Sequence, residues 1–233
     1  MRIPAIVGLL VVFPFAALSQ QDGTAALSGR VVDDTGRAIV RANVNYRRVD
    51  DLRRDKYHGF VATSTPINRL VTTSADGSFS VSGLPVGNYH VCALPSLPTQ
   101  VGTCEWHRNR GPFAASAGRT FNVPDLVLTT GRTLRIRILD PNGRLTARAK
   151  LLVGVMTEDG YYRRAEAAAG PPEAGIAAVL SVVIPPNVNV GLFIDSDLDV
   201  RDSSSRPAPK RQRGAPLALG APGTETVLDL RLN

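Results

Sequence analysis

The 233-residue chain is poor in the residues that metal sites and hydrolytic sites need. It holds two cysteines, three histidines, two methionines and one tryptophan, and aromatic residues make up 6%. Two cysteines and scattered histidines do not supply a zinc ligand set, so no cofactor or structural metal cluster of that kind is expected. His58, His90 and His107 are followed three positions on by Val61, Ala93 and Arg110. The His and Glu pairing of a zinc carboxypeptidase is therefore missing. No Gly-x-Ser-x-Gly elbow and no phosphate-binding Gly-rich loop occurs. Beyond the N-terminus no apolar run is long enough to cross a bilayer. The sequence points away from an enzyme.

What is present fits a packed chain with many turns. Hydrophobic residues make up 43%, and 21 glycines and 17 prolines are spread without a period. The formal charge is +7, mostly from arginine. Acidic glycans or membrane surfaces are possible partners for such a chain. No basic helix and no basic face interleaved with aromatics stands out, so nucleic acid is not expected.

The N-terminus reads as a secretory signal. Arg2 is followed by the uncharged apolar run Ile3 to Leu18, and Ala17-Leu18-Ser19 offers small residues for cleavage before Gln20. Residues 1–19 are thus set aside as a signal peptide, with no membrane span after cleavage, and the mature chain is expected to be secreted or periplasmic. In an oxidising compartment an even cysteine count argues for one bridge, Cys92–Cys104.

Strand and turn signals alternate along the rest. Ala25 to Asp33 is followed by an Asp-Thr-Gly turn, and Ala42 to Tyr46 alternates small or apolar with polar residues. Leu70 to Thr73 and Phe79 to Val81 flank Asp76-Gly77, a hairpin signal. Tyr89, Val91 and Ala93 continue at period two, and Phe121 to Leu128 reads as a returning strand. Further strands are expected at 133–139, 150–157, 177–184, 188–194 and 224–232. The charged segment 49–69 reads as a long solvated loop. Tyr162 to Gly170 carries helix propensity, ended by Gly170-Pro171-Pro172.

The second half repeats the first. Laying Gly36 over Gly143 places Arg30 to Asp33 over Arg137 to Asp140, Arg37 over Arg144, and Arg41-Ala42 over Arg148-Ala149. Further on, Leu84-Pro85 lies over Ile184-Pro185. The expected fold class is all-β, as two tandem immunoglobulin-like or transthyretin-like β-sandwich domains over 20–128 and 129–233.

Residues 28–46 (SGRVVDDTGRAIVRANVNY) and 72–93 (TTSADGSFSVSGLPVGNYHVCA) resemble the carboxypeptidase regulatory-like domain of bacterial secreted proteins. That domain is a transthyretin-like or Cna-B-like β-sandwich. The positions that carry the resemblance include Gly29, Val31, Asp33, Gly36, Ala42, Thr73, Gly77, Phe79, Leu84, Pro85, Gly87, Tyr89 and Val91. Ile39-Val40 departs from it, because the family has a proline after the turn. The resemblance implies a fold rather than an activity. The transthyretin-like hydroxyisourate hydrolases end in Tyr-Arg-Gly-Ser, whereas this chain ends in Leu-Arg-Leu-Asn.

Three features are candidate binding sites. Asp195, Asp197 and Asp199 alternate in one loop and could offer hard oxygens to calcium. Ser203 to Gly214 is basic and proline-containing, and reads as an exposed mobile loop able to grip a polyanion through Lys210, Arg211 and Arg213. Trp106, with His107, Tyr57, Tyr161 and Tyr162, could form the stacking face of a carbohydrate-binding module, or Trp106 could pack over the disulfide. The expected function is a non-catalytic binding or structural module at the cell envelope or outside the cell, with a protein or glycan partner. The alternatives are a carbohydrate-binding module and an enzyme with a site built between the two units.

Overall fold

The computed structural model describes residues 24–49, 52–55, 59–62, 67–106, 112–168 and 175–233. The expected signal peptide, Tyr57, His58 and His107 lie outside the described residues.

The first half contains β1 (Ala25–Asp33), β2 (Asn43–Arg48), β3 (Leu52–Asp55), β4 (Gly59–Ala62), β5 (Asn68–Thr72), β6 (Ser78–Leu84), β7 (Gly87–Ala93) and β8 (Gln100–Val101). A four-residue helix follows, α1 (Thr103–Trp106), then β9 (Phe113–Ala115), β10 (Thr120–Asn122) and β11 (Leu126–Thr130). The second half contains β12 (Arg132–Leu139), β13 (Leu151–Thr157), β14 (Tyr162–Arg164), β15 (Glu166–Ala167), β16 (Ile176–Ile184), β17 (Val190–Ser196), β18 (Val200–Arg201) and β19 (Glu225–Leu232). The fold is all-β.

Each half is two sheets packed face to face. In the first, β1 pairs antiparallel with β6 on one side and parallel with β10 and β11 on the other. The facing sheet runs β5-β2-β7-β9. Leu27, Val31, Phe79 and Leu126 from one sheet meet Val44, Tyr46, Tyr89 and Val91 from the other in a single core. In the second half, β12 pairs antiparallel with β16 and parallel with β19, opposite the sheet β14-β13-β17. Leu134, Ile136, Ile138, Ile184 and Leu230 fill a second core against Val153, Val155 and Ile194. The two halves therefore share one topology. In both, the opening strand lies between an antiparallel neighbour that ends just before a proline and a parallel closing strand.

The repeat reaches the turns. The Asp33 carboxylate accepts the Arg37 N–H at 2.9 Å, and the Asp140 carboxylate accepts the Arg144 N–H at 2.8 Å. Gly36 and Gly143 both sit at positive φ, 84° and 62°, where a Cβ would be strained. Hydrogen bonds hold both carboxyls below their ordinary pKa, led by the Thr35 hydroxyl on Asp33 and by the Leu145 N–H on Asp140, with the Arg37 and Arg144 N–H groups adding to them.

The residues that carry the family resemblance have mechanical reasons. Buried Thr73 accepts the Ala42 N–H at 2.9 Å and donates to the Ile39 carbonyl at 2.6 Å, tying the β1–β2 connection to the end of β5. A Cβ on Gly29 would lie 2.8 Å from the Phe79 ring, so the ring needs the bare backbone it covers. Tyr89 is fully buried, and its hydroxyl donates to the Pro85 carbonyl at 2.9 Å.

Three local expectations are corrected, and one element is added. The charged segment 49–69 is not a plain loop, because β3 and β4 pair as an antiparallel hairpin within it. The helix-prone 162–170 stretch supplies β14 and β15, whose ladder partners on β13 and β16 override propensity. The returning strand breaks into β10 and β11, with Pro124 between them, since proline cannot donate to a ladder. The Pro- and Gly-rich stretch after β7 contains α1, which its composition did not announce.

Candidate functional site

The residues that converge from both halves do so at the joint between them. Only Gly131 separates β11 from β12. Its N–H donates to the Thr99 carbonyl at 2.8 Å, and its carbonyl accepts the Gly223 N–H at 2.7 Å. A Cβ there would lie 2.4 Å from Val183 Cγ1, 2.7 Å from Val101 Cγ2 and 2.9 Å from the Ile184 carbonyl oxygen. The chain crosses between sandwiches at a point with no room for a side chain.

A second connection lies beside the first. The Cys92–Cys104 disulfide ties the end of β7 to α1, with Cα atoms 4.9 Å apart. Buried Thr103 accepts the Ala93 N–H at 2.7 Å and fixes the start of the helix. So held, α1 projects Trp106 onto the second core, where the ring is half-buried. The indole N–H donates to the Val183 carbonyl at 3.0 Å. Tyr161 meets the indole edge-on at 5.7 Å between centroids, and its hydroxyl donates to the Glu105 carbonyl. The Glu105 carboxylate pairs with Arg163 at 2.8 Å. At the start of β12, Arg132 donates to the Pro185 and Val188 carbonyls at 3.1 and 2.6 Å and closes the turn between β16 and β17.

Trp106 and Tyr161, named from sequence as possible sugar-stacking rings, are thus brought together, but at an internal contact. Tyr162 lies elsewhere, tilted against Phe193 at 4.8 Å, and burial pushes its hydroxyl above the ordinary phenol pKa. His90 sits with Arg47 and Asn45 around a cavity of about 280 Å³ beside the disulfide. Sequence reasoning missed Glu105, Arg163, Gly131 and Val183. Pairings this distant in sequence carry no local signal.

The acidic loop is answered by cations. Asp195 accepts Lys150 Nζ at 2.6 Å and Arg211 Nε at 2.7 Å. These two hydrogen bonds, Lys150 first, hold its carboxyl below the ordinary range. Asp199 pairs with Arg201 at 3.0 Å, and Asp197 is exposed. Among the described residues no three His, Cys, Asp or Glu side chains are grouped as a metal site. The structure does not bring Asp195, Asp197 and Asp199 together as calcium would need.

The basic segment 203–214 is not a free loop. The N–H groups of Ala208, Arg211 and Gly214 donate to the Val200, Ile194 and Leu192 carbonyls at 2.7–2.8 Å. Ala208 is buried in the second core. The segment runs along the open edge of β17 and covers it. Arg211 pairs with Asp195, and Arg213 lies 3.3 Å from Glu158.

No family model matches the chain, and no curated protein matches it. Among solved structures it is similar to the TIE protein of Bacillus anthracis, at 13% identity and a TM-score of 0.35, covering 90% of this chain and 34% of that one. It is similar to a streptococcal ancillary pilin at 12% identity and a TM-score of 0.39, covering 91% and 63%. It is similar to the minor pilin of Streptococcus agalactiae at 11% identity and a TM-score of 0.32, covering 89% and 95%. The chain spans about a third of the first neighbour and less than two thirds of the second. Likeness at this level assigns neither family nor activity. No helix among the described residues is long and apolar enough to cross a membrane.

Proposed function

We propose that the chain is an exported, non-catalytic structural module that holds two β-sandwiches in one fixed orientation and presents them to a protein or glycan partner. The observation that carries this reading is the joint. A one-residue crossing without space for a Cβ, an indole anchored across it and the Glu105–Arg163 pair together leave little freedom between the halves. The Cys92–Cys104 bridge fits an oxidising compartment. The roles of Gly29, Thr73 and Phe79 in packing support the likeness of the first half to carboxypeptidase regulatory-like domains.

The test is ¹⁵N relaxation on oxidised residues 20–233. Amides of both halves are expected to report one rotational correlation time. Two separate correlation times would overturn the rigid-module reading.

A further inference from the structure

We propose that each sandwich is a shear clamp for tension along the chain, so that the protein bears mechanical load between its ends. This rests on the structural-module reading above and adds what such a module withstands. In the second half the strand that enters and the strand that leaves lie side by side and parallel. Seven consecutive register pairs join them, from Thr133 with Glu225 to Leu139 with Arg231. In the first half β1 likewise lies parallel to β10 over Ala26–Ser28 and to β11 over Val31–Asp33.

Parallel neighbours point the same way, so the start of the first and the end of the last lie at opposite ends of their ladder. Tension between those points slides one strand along the other and loads the ladder hydrogen bonds together. An antiparallel pair pulled from one end opens a bond at a time. The path is continuous, because β11 passes into β12 through Gly131, which is hydrogen-bonded to both halves.

Side chains reinforce the ladder at the same place. Arg137 and Asp229 are register partners on β12 and β19, joined by two hydrogen bonds at 2.6 and 2.8 Å. A bidentate guanidinium–carboxylate pair resists sliding in a way that a point contact does not. On the inner face Leu134, Ile136, Ile138, Leu230 and Leu232 are buried and keep water from that side of the bonds. The disulfide lies within the span from β1 to β11, so it shortens the chain released without carrying load in the folded state.

The experiment is single-molecule stretching of oxidised residues 20–233 held by the two ends. Two unfolding events are expected. At ~3.6 Å per residue, the second half releases about 34 nm and the first about 31 nm. Adding reductant lengthens only the first-half event, by about 4 nm, which identifies it. The same chain is then pulled through handles at Asn142, just past β12, and Ala177, at the start of β16, at the end of the antiparallel pair where Leu139 meets Ile176. That geometry should unfold the second half at a force several-fold lower. Asp229→Asn should lower the end-to-end force of the 34 nm event and leave the other unchanged. Circular dichroism confirms that each variant is folded. End-to-end forces equal to or below those at 142 and 177 would overturn the shear clamp, even with a rigid joint. Independently tumbling halves with high end-to-end force would instead overturn the rigid-module reading alone.

Discussion

Trp106, the chain's single tryptophan, donates its indole N–H to the carbonyl of Val183, 77 positions on and in the other sandwich. The ring is half-buried against the second core, and Tyr161 closes its edge. Trp106→Ala should therefore loosen the joint without unfolding either half. The expected cost is about 2 kcal/mol, below the range for a fully buried aromatic ring. Relaxation measurements should then give different correlation times for the halves. An unchanged single correlation time would remove Trp106 from the joint.

The disulfide positions the same contact from behind. Opening Cys92–Cys104 frees the loop that carries Thr103 and Trp106. Loop-closure entropy places the loss at roughly 3 kcal/mol, or roughly 10–20 °C in the melting temperature of the first half. The Cys92→Ala/Cys104→Ala double variant should melt as the reduced protein does. Fluorescence of the single tryptophan should shift toward that of a solvated indole before the far-ultraviolet signal is lost. Coincident loss of both signals would show that the bridge supports the fold rather than the joint.

Much of this architecture could be read from residue order. The alternation of Leu228, Leu230 and Leu232 with Val227, Asp229 and Arg231 marks β19, and Leu230 and Leu232 are buried. The Asp33–Gly36 and Asp140–Gly143 turns mark equivalent corners, because an Asx turn and a positive-φ glycine are local signals. What could not be read depends on distant partners. Tyr162 to Ala167 has helical composition but takes strand geometry from β13 and β16. The acidic 195–199 loop resembles a cation site until Lys150, far away in sequence, is seen on Asp195. From sequence the one tryptophan is open to a binding face or to packing over the disulfide, because a sequence does not say that its indole meets the Val183 carbonyl of the other sandwich.

Gly131 tests the joint from its other side. A methyl group added there must displace Val183 Cγ1, Val101 Cγ2 or the Ile184 backbone. Forced packing of this kind costs about 1–3 kcal/mol. Because the clash lies between the halves, Gly131→Ala should change their relative orientation more than the stability of either. Small-angle scattering should show an altered maximum dimension with both cores intact by near-ultraviolet dichroism. A superimposable profile would show that the crossing has slack.

Acid stability provides the last prediction. The Asp76 carboxylate accepts the Ser78 hydroxyl at 2.7 Å, the Ser78 N–H at 3.0 Å and the Ser74 hydroxyl at 3.0 Å. These bonds, the Ser78 hydroxyl first, lower its pKa from 3.8 to about 2. Asp33, Asp140, Asp195, Asp202 and Asp229 are all lowered as well, by turn hydrogen bonds or arginine and lysine partners. A carboxyl with a depressed folded pKa binds its proton more weakly folded than unfolded. Its contribution is therefore complete above the unfolded value and disappears as pH falls through the folded one. The share of stability that these aspartates supply should be complete above about pH 5 and fall steadily toward pH 2. Carboxyl-detected NMR should place the Asp76 midpoint near 2. Asp76→Asn should remove that residue's share of the acid limb and leave the rest. A midpoint at the ordinary aspartate value would mean that the Ser74–Ser78 turn does not hold the ionised group in solution.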